Sequence, residues 1–147
     1  MATLQHQMKM REKEIQRAID AAIKKNADSA TECAIEGNKR VRQIVSSTSK
    51  SAPGKPPALK TGFLRDSVIT VPASPGNPAV AAYGPTAPYA ASVEFGHGGK
   101  NKAAPHPFMR KLAADSDFHK FITNTVANKW KDSIRRSSNG FKNLGNK

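Results

Sequence analysis

Residues Leu4 to Val45, LQHQMKMREKEIQRAIDAAIKKNADSATECAIEGNKRVRQIV, contain no proline. Apolar or small residues recur there at Leu4, Met8, Ile15, Ile19, Ala22, Ile23, Ala30, Cys33, Ala34, Val41, Ile44 and Val45. Their steps of three, four and seven fit one face of a helix. Glu12, Glu14, Asp20, Glu32 and Glu36 alternate with Lys and Arg on the remaining surface, a pattern of local ion pairs rather than of a ligand site. At 1.5 Å per residue such a helix reaches roughly 60 Å, more than a globule of this size covers. Two readings stay open. Either the helix breaks near Asn26 to Asp28 or at Gly37, where glycine costs about 1 kcal/mol relative to alanine, or its exposed stripe packs on another subunit.

Working outward, Ser46 to Pro57 is rich in serine and proline and cannot continue the helix. Leu64 to Val71 reads as a strand stopped by Pro72, and Ala79 to Tyr83 as a second, the pair forming an antiparallel hairpin across the turn residues Ala73 to Pro78. Pro88 and Gly96 bracket Tyr89 to Phe95 as a short helix, with a strand as the alternative. Gly96 to Pro105 is an open Gly- and Lys-rich loop, and Pro107 to Ala113 a helical turn with Phe108, Met109 and Leu112 inward. Asp115, Ser116 and Asp117 supply N-cap chemistry for a last helix, on which Phe118, Phe121, Ile122, Val126, Trp130 and Ile134 recur at helical spacing. The expectation is one α+β domain over residues 1–147. It divides into a long helix (1–46), a Ser/Pro-rich loop (47–58), a sheet-containing core (59–113), an amphipathic C-terminal helix (114–137) and a flexible tail (138–147).

The 147 residues carry 24 Lys and Arg against 11 Asp and Glu, a net charge of +13. A chain of this length buries a core without staples. The charge is spread evenly, +4 over residues 1–50, +4 over 51–110 and +5 over 111–147. Such a field favours polyanions and solubility without naming a site. Cys33 is the single cysteine, which excludes an internal disulfide or a Cys-rich zinc site and points to a reducing compartment. No long apolar stretch or secretory leader is visible, so a soluble product of the cell interior is expected, with no membrane partner.

Catalysis finds little support. His97 and His106, with Glu94 close by, are the one conceivable metal group, but no His pair or CxxC spacing fixes a coordination geometry. No phosphate-binding glycine motif, carboxylate pair or nucleophile signature occurs. The expectation is no enzyme and no cofactor. Basic residues such as Lys24, Lys25, Lys39, Arg40, Arg42, Lys50, Lys55 and Lys60 leave a nucleic-acid-binding protein, acting as a monomer or small oligomer, as the alternative function. No aromatic stacking platform accompanies them.

Three segments belong together. Thr61, Gly62, Leu64, Arg65 and Ser67 make TGxLRxS; Tyr89, Val93, Glu94, Phe95 and Gly96 belong to YAxxVEFG; Pro107, Phe108, Met109 and Arg110 make PFMR. Physically, Gly62 can take a backbone shape closed to other residues. Arg65 and Glu94 are expected to pair, and Tyr89, Val93, Phe95 and Phe108 to fill the space between sheet and helices. In this order and spacing the segments resemble the tail-component family of long-tailed, lambda-like bacteriophages, the neck or tail-completion proteins. The resemblance spans about Pro56 to Ala113, and Lys111 departs from it where the family often places proline.

The resemblance implies a virion structural protein of the phage neck, at the head-proximal end of the tail. It would be assembled in the host cytoplasm and form a homo-oligomeric, commonly sixfold, ring that completes the tail and takes part in head-tail joining. Implied partners are further copies of the chain, adjacent neck and tail-tube proteins, and genomic DNA met without sequence reading. The candidate ring faces are the exposed stripe of the first helix and the Gly96 to Pro105 loop. Lys100, Lys102, Lys55, Lys60, Arg40 and Arg42 are candidate subunit or DNA contacts.

Overall fold

The computed structural model describes residues 3–46, 51–58, 61–74, 76–100 and 102–142, with side chains described as far as residue 136. The chain is mixed α+β. One continuous helix, α1 (Leu4–Ser46), runs through both Asn26 and Gly37 without a break. Its 43 residues span about 65 Å. A helical turn α2 (Phe63–Asp66) and strand β1 (Val68–Val71) follow, then β2 (Ala82–Pro85), α3 (Ala90–Phe95), α4 (Met109–Ala113) and α5 (Ser116–Lys142). No described helix is long and apolar enough to cross a membrane.

Gly37 survives mid-helix because something needs the space. A Cβ built there would lie 2.5 Å from Cε1 and Cζ of Tyr83, so the β2 tyrosine rests directly on the helix backbone. That ring meets Phe118 edge-on at 6.1 Å, and the Arg40 guanidinium covers the Phe118 ring at 5.4 Å. Val41, Val45, Val68, Ala87, Ala90, Phe108, Leu112 and Phe118 form the buried core, so the middle and C-terminal part of α1 is the wall against which sheet and short helices pack.

The hairpin is antiparallel, pairing Val68 with Pro85 and Val71 with Ala82. Both strands sit later than their apolar runs predict. Leu64 and its neighbours Phe63 to Asp66 turn as a helix instead of opening the strand, and the second strand is displaced from Ala79–Tyr83 to Ala82–Pro85. The cause is local. Gly62 takes φ 77°, the left-handed region glycine tolerates, and its carbonyl accepts from the Asp66 N–H, closing a turn before the chain can extend. β1 is fastened to α1 by polar groups: Asn38 Nδ2 and an Arg42 guanidinium nitrogen both donate to the Val68 carbonyl, at 3.2 and 2.9 Å.

α5 packs along α1 in the opposite direction. Asp115 at its start lies 3.7 Å from Arg40, and Lys129 further along bonds Glu32 at 2.9 Å. Asp115 Oδ1 accepts from the Asp117 and Phe118 N–H groups, the expected N-cap. Those two N–H bonds hold the Asp115 carboxyl below the usual carboxylate range, helped by Arg40. The helix continues to Lys142, past the expected end at 137, so residues 138–142 are helical rather than tail. The rest of the expected tail, 143–147, lies outside the described residues.

Candidate functional site

The second and third sequence motifs meet in one place. α3 ends at Phe95, and Gly96 at φ 73° turns the chain into a loop closed by paired hydrogen bonds between His97 and Ala103. The loop returns through Pro105 to α4, with the His106 N–H donating to the Val93 carbonyl at 2.8 Å. Phe108, the N-cap position before α4, has no capping side chain, so the first N–H groups of the helix need an acceptor from elsewhere. Glu94 supplies it. Oε2 accepts from the Phe108 and Met109 N–H groups at 2.7 and 3.0 Å. Oε1 accepts from the Arg110 N–H at 3.1 Å and from Arg110 Nε at 3.0 Å.

A second guanidinium nitrogen of Arg110 donates to the Glu94 carbonyl at 2.8 Å, and the guanidinium covers the Phe95 ring at 5.1 Å. Glu94 is 4% exposed. Burial pushes its carboxyl up, but the three backbone N–H donors and Arg110 outweigh that and leave it below the ordinary range.

The expected Arg65–Glu94 pair does not form. Arg65 donates to its neighbour Asp66, Nε to Oδ1 at 2.7 Å, on the exposed side of α2. This bond lowers the Asp66 carboxyl and raises the guanidinium. Glu94 takes Arg110 because three backbone donors already aim at the start of α4, next to Arg110. Arg110 is thus the partner sequence reasoning missed. The available signal was the expected helical turn Pro107 to Ala113 with no Ser, Thr, Asp or Asn ahead of it to cap it.

The other expected residues divide clearly. Phe108 is fully buried, and Leu64 and Val93 pack against the core. Tyr89 and Phe95, expected inside, are 40% and 66% exposed. Tyr89 lies instead against Phe63, ring centres 6.0 Å apart, and Phe95 beneath Arg110, so each ring covers a surface neighbour. The Thr61 hydroxyl accepts weakly from the Phe63 N–H at 3.4 Å, Ser67 Oγ donates to the Leu64 carbonyl, and Pro107 is half-buried beside the joint. Arg40 is engaged by Glu36 and Asp115, and Arg42 by Asn38 and Val68, so both hold the fold. Lys55, Lys100 and Lys102 are exposed, while Lys50 and Lys60 lie outside the described residues.

His97, His106 and Glu94 do not converge, and no group of three His, Cys, Asp or Glu side chains gathers among the described residues. His106 has a different task. Ser51 Oγ donates its proton to the Pro56 carbonyl at 2.7 Å, so His106 Nδ1 is the donor to Ser51 Oγ at 2.6 Å and to the Lys55 carbonyl at 3.0 Å. With the Gly54 N–H bonded to the Pro105 carbonyl, this pins the Pro-rich connector to the loop ahead of α4. The geometry defines a scaffold joint built from a buried carboxylate and helix-start N–H groups. No family model, curated protein or solved structure matches the chain.

Proposed function

We propose that this chain is a virion structural protein of the phage neck, forming a ring at the head-proximal end of the tail that completes the tail and takes part in joining it to the head. The observation that carries the reading is the joint itself. YAxxVEFG and PFMR, two of the three segments behind the resemblance, meet through one carboxylate whose oxygens are occupied by four N–H groups of the fold. Oxygens so occupied serve the fold, and the joint supports the resemblance by bringing two of its segments together.

A ring requires two different faces on each subunit. The loop bearing Lys100 and Lys102 is exposed, as one of the two expected faces; in place of the expected α1 stripe, the outer side of β1, where Ile69 and Val71 are about half exposed, is the second candidate. Six copies carry about 78 formal positive charges at +13 each. Acidic faces of adjacent neck and tail-tube rings would relieve that repulsion, and passing DNA would meet the lysines through its phosphates without being read.

Gold-labelled antibody against the chain, applied to purified particles, tests the reading. Label at the head-tail joint, with heads and tails left unjoined when the chain is missing, is the expected result. Complete joining without the chain overturns it. Tight binding of free duplex by the monomer, weakening steeply with salt and with no label on particles, supports a nucleic-acid-binding protein instead.

A further inference from the structure

Helical residues 18 apart stand five full turns apart on the same face. Ile19 therefore lies in line with Gly37, which Tyr83 covers, and Ile23 in line with Val41, which is fully buried. The face of α1 that forms the core wall continues through its N-terminal half as Leu4, Met8, Ile15, Ile19 and Ile23, and there the five side chains are 42% to 73% exposed. Trp130 of α5, which lines a pocket with Ala22 and Asn26, and Ile134 one turn further on add two more exposed apolar groups, 48% and 65% exposed, beside that half.

We infer that this stripe is covered by the same half of α1 from a second copy, laid antiparallel about a two-fold axis between Glu12 and Ile15. The area fits. Seven large apolar side chains, between 42% and 73% exposed, leave on the order of 700 Å² per copy, close to the ~800 Å² per partner of a standard interface. The register fits as well: it sets Leu4 opposite the partner's Ile23 and Met8 opposite the partner's Ile19, with the two Ile15 side chains flanking the axis. Lys9 and Asp20, 11 residues or about three turns apart, share one flank of the stripe. The antiparallel register keeps that flank on the same side in both copies and brings Lys9 within a turn of the partner's Asp20, twice by symmetry, whereas a parallel one puts the two flanks on opposite sides and leaves these charges apart. A two-fold contact closes on itself, so this pairing is additional to ring closure and does not rest on the functional reading.

Sedimentation velocity of the full chain tests it. Wild-type protein is expected to be dimeric, and Ile15→Asp/Ile19→Asp monomeric with its dissociation constant raised at least about a hundredfold, a loss near 3 kcal/mol by the tenfold-per-1.4 kcal/mol relation. Both positions lie well before the core wall, so the far-UV circular dichroism of the monomer should stay near wild type, while its Tm falls only by what dimerisation adds. Leu4→Asp/Met8→Asp provides a second variant still further from the core. Lys9→Glu and Asp20→Lys should each weaken the dimer several-fold, and their combination should restore it. Wild-type protein that is monomeric at about 0.1 mM, or a dimer that survives both double-Asp variants, overturns the proposal. Failure of the charge swap to rescue overturns the antiparallel register. Monomeric protein that co-sediments with anionic lipid vesicles overturns it in favour of a lipid surface.

Discussion

Replacing Glu94 by alanine separates a structural joint from a decorative ion pair. The substitution strips the acceptor from the Phe108, Met109 and Arg110 N–H groups and from Arg110 Nε at once. The Arg110 side chain is 55% exposed and can turn to water, so the loss concentrates on the backbone donors. Phe108 is 1% exposed, and its N–H has nowhere else to go. A buried donor left unsatisfied costs about 1–3 kcal/mol, so one buried and two part-buried donors put the loss at about 3 kcal/mol, at the lower edge of the range for breaking a buried pair. For a chain near this size each kcal/mol moves Tm by about 2–4 °C, so a fall of about 6–12 °C is expected in thermal unfolding followed by circular dichroism. Hydrogen exchange at the Phe108 and Met109 amides should quicken more than at the α1 amides around Val41. Arg110→Ala, which leaves the three backbone N–H donors on the Glu94 carboxylate in place, should cost only about 1 kcal/mol.

The pH dependence has a fixed sign. Glu94 is depressed in the folded chain relative to an unfolded value of about 4.3. Its contribution is therefore complete above that unfolded value and is lost as pH falls through the folded one. Wild type should lose stability along that acid limb, and Glu94→Gln, less stable at neutral pH, should show a flatter limb there. A Glu94→Ala variant that melts within about 2 °C of wild type, or a Glu94→Gln acid limb that parallels wild type, would refute the assignment.

Three further substitutions probe the rest of the frame. Gly37→Ala should destabilise by about 1–3 kcal/mol in urea unfolding despite alanine's better helix propensity, because its Cβ meets the Tyr83 ring at 2.5 Å. Combined with Tyr83→Ala, the same change should become neutral or favourable, and a purely additive pair would show that the ring does not set the glycine. Arg65→Glu should fold normally and melt close to wild type, since its only described ion-pair partner is the exposed Asp66; a collapse in Tm would restore a larger role for Arg65. Asp115→Ala should uncap α5 and lower the midpoint in urea.

The long helices and the hairpin pairing were legible because period and proline placement are local properties. Strand bounds were not, since Gly62 diverts the chain into a helical turn through a backbone conformation that the residue type permits but does not compel. The continuity of α1 through Gly37 was also beyond local reading. Its propensity cost is offset by the packing of Tyr83, a residue 46 positions away. Tyr89 and Phe95 show the opposite error, for an aromatic side chain beside core residues was read as core when each covers a surface neighbour instead.

The joint at Glu94 shows where pairing by charge alone misleads. Arg65 and Glu94 are the charged residues of the first two motifs, and sequence offers no reason to prefer Arg110, 16 positions on, over Arg65, 29 positions back. The decision belongs to the backbone. A helix that starts at an uncapped Phe108 presents N–H groups that must find an acceptor, and a carboxylate reaching them is placed before any guanidinium is chosen. Arg110 then follows because its own N–H is one of those groups, which sets its side chain beside the carboxylate it neutralises. The exposed stripe of α1 obeys the same logic on a larger scale. A face that buries Val41 and accepts Tyr83 at one end does not change character five turns earlier, so its apolar side chains at Ile19 and Ile23 call for a cover that the chain's own described residues do not provide.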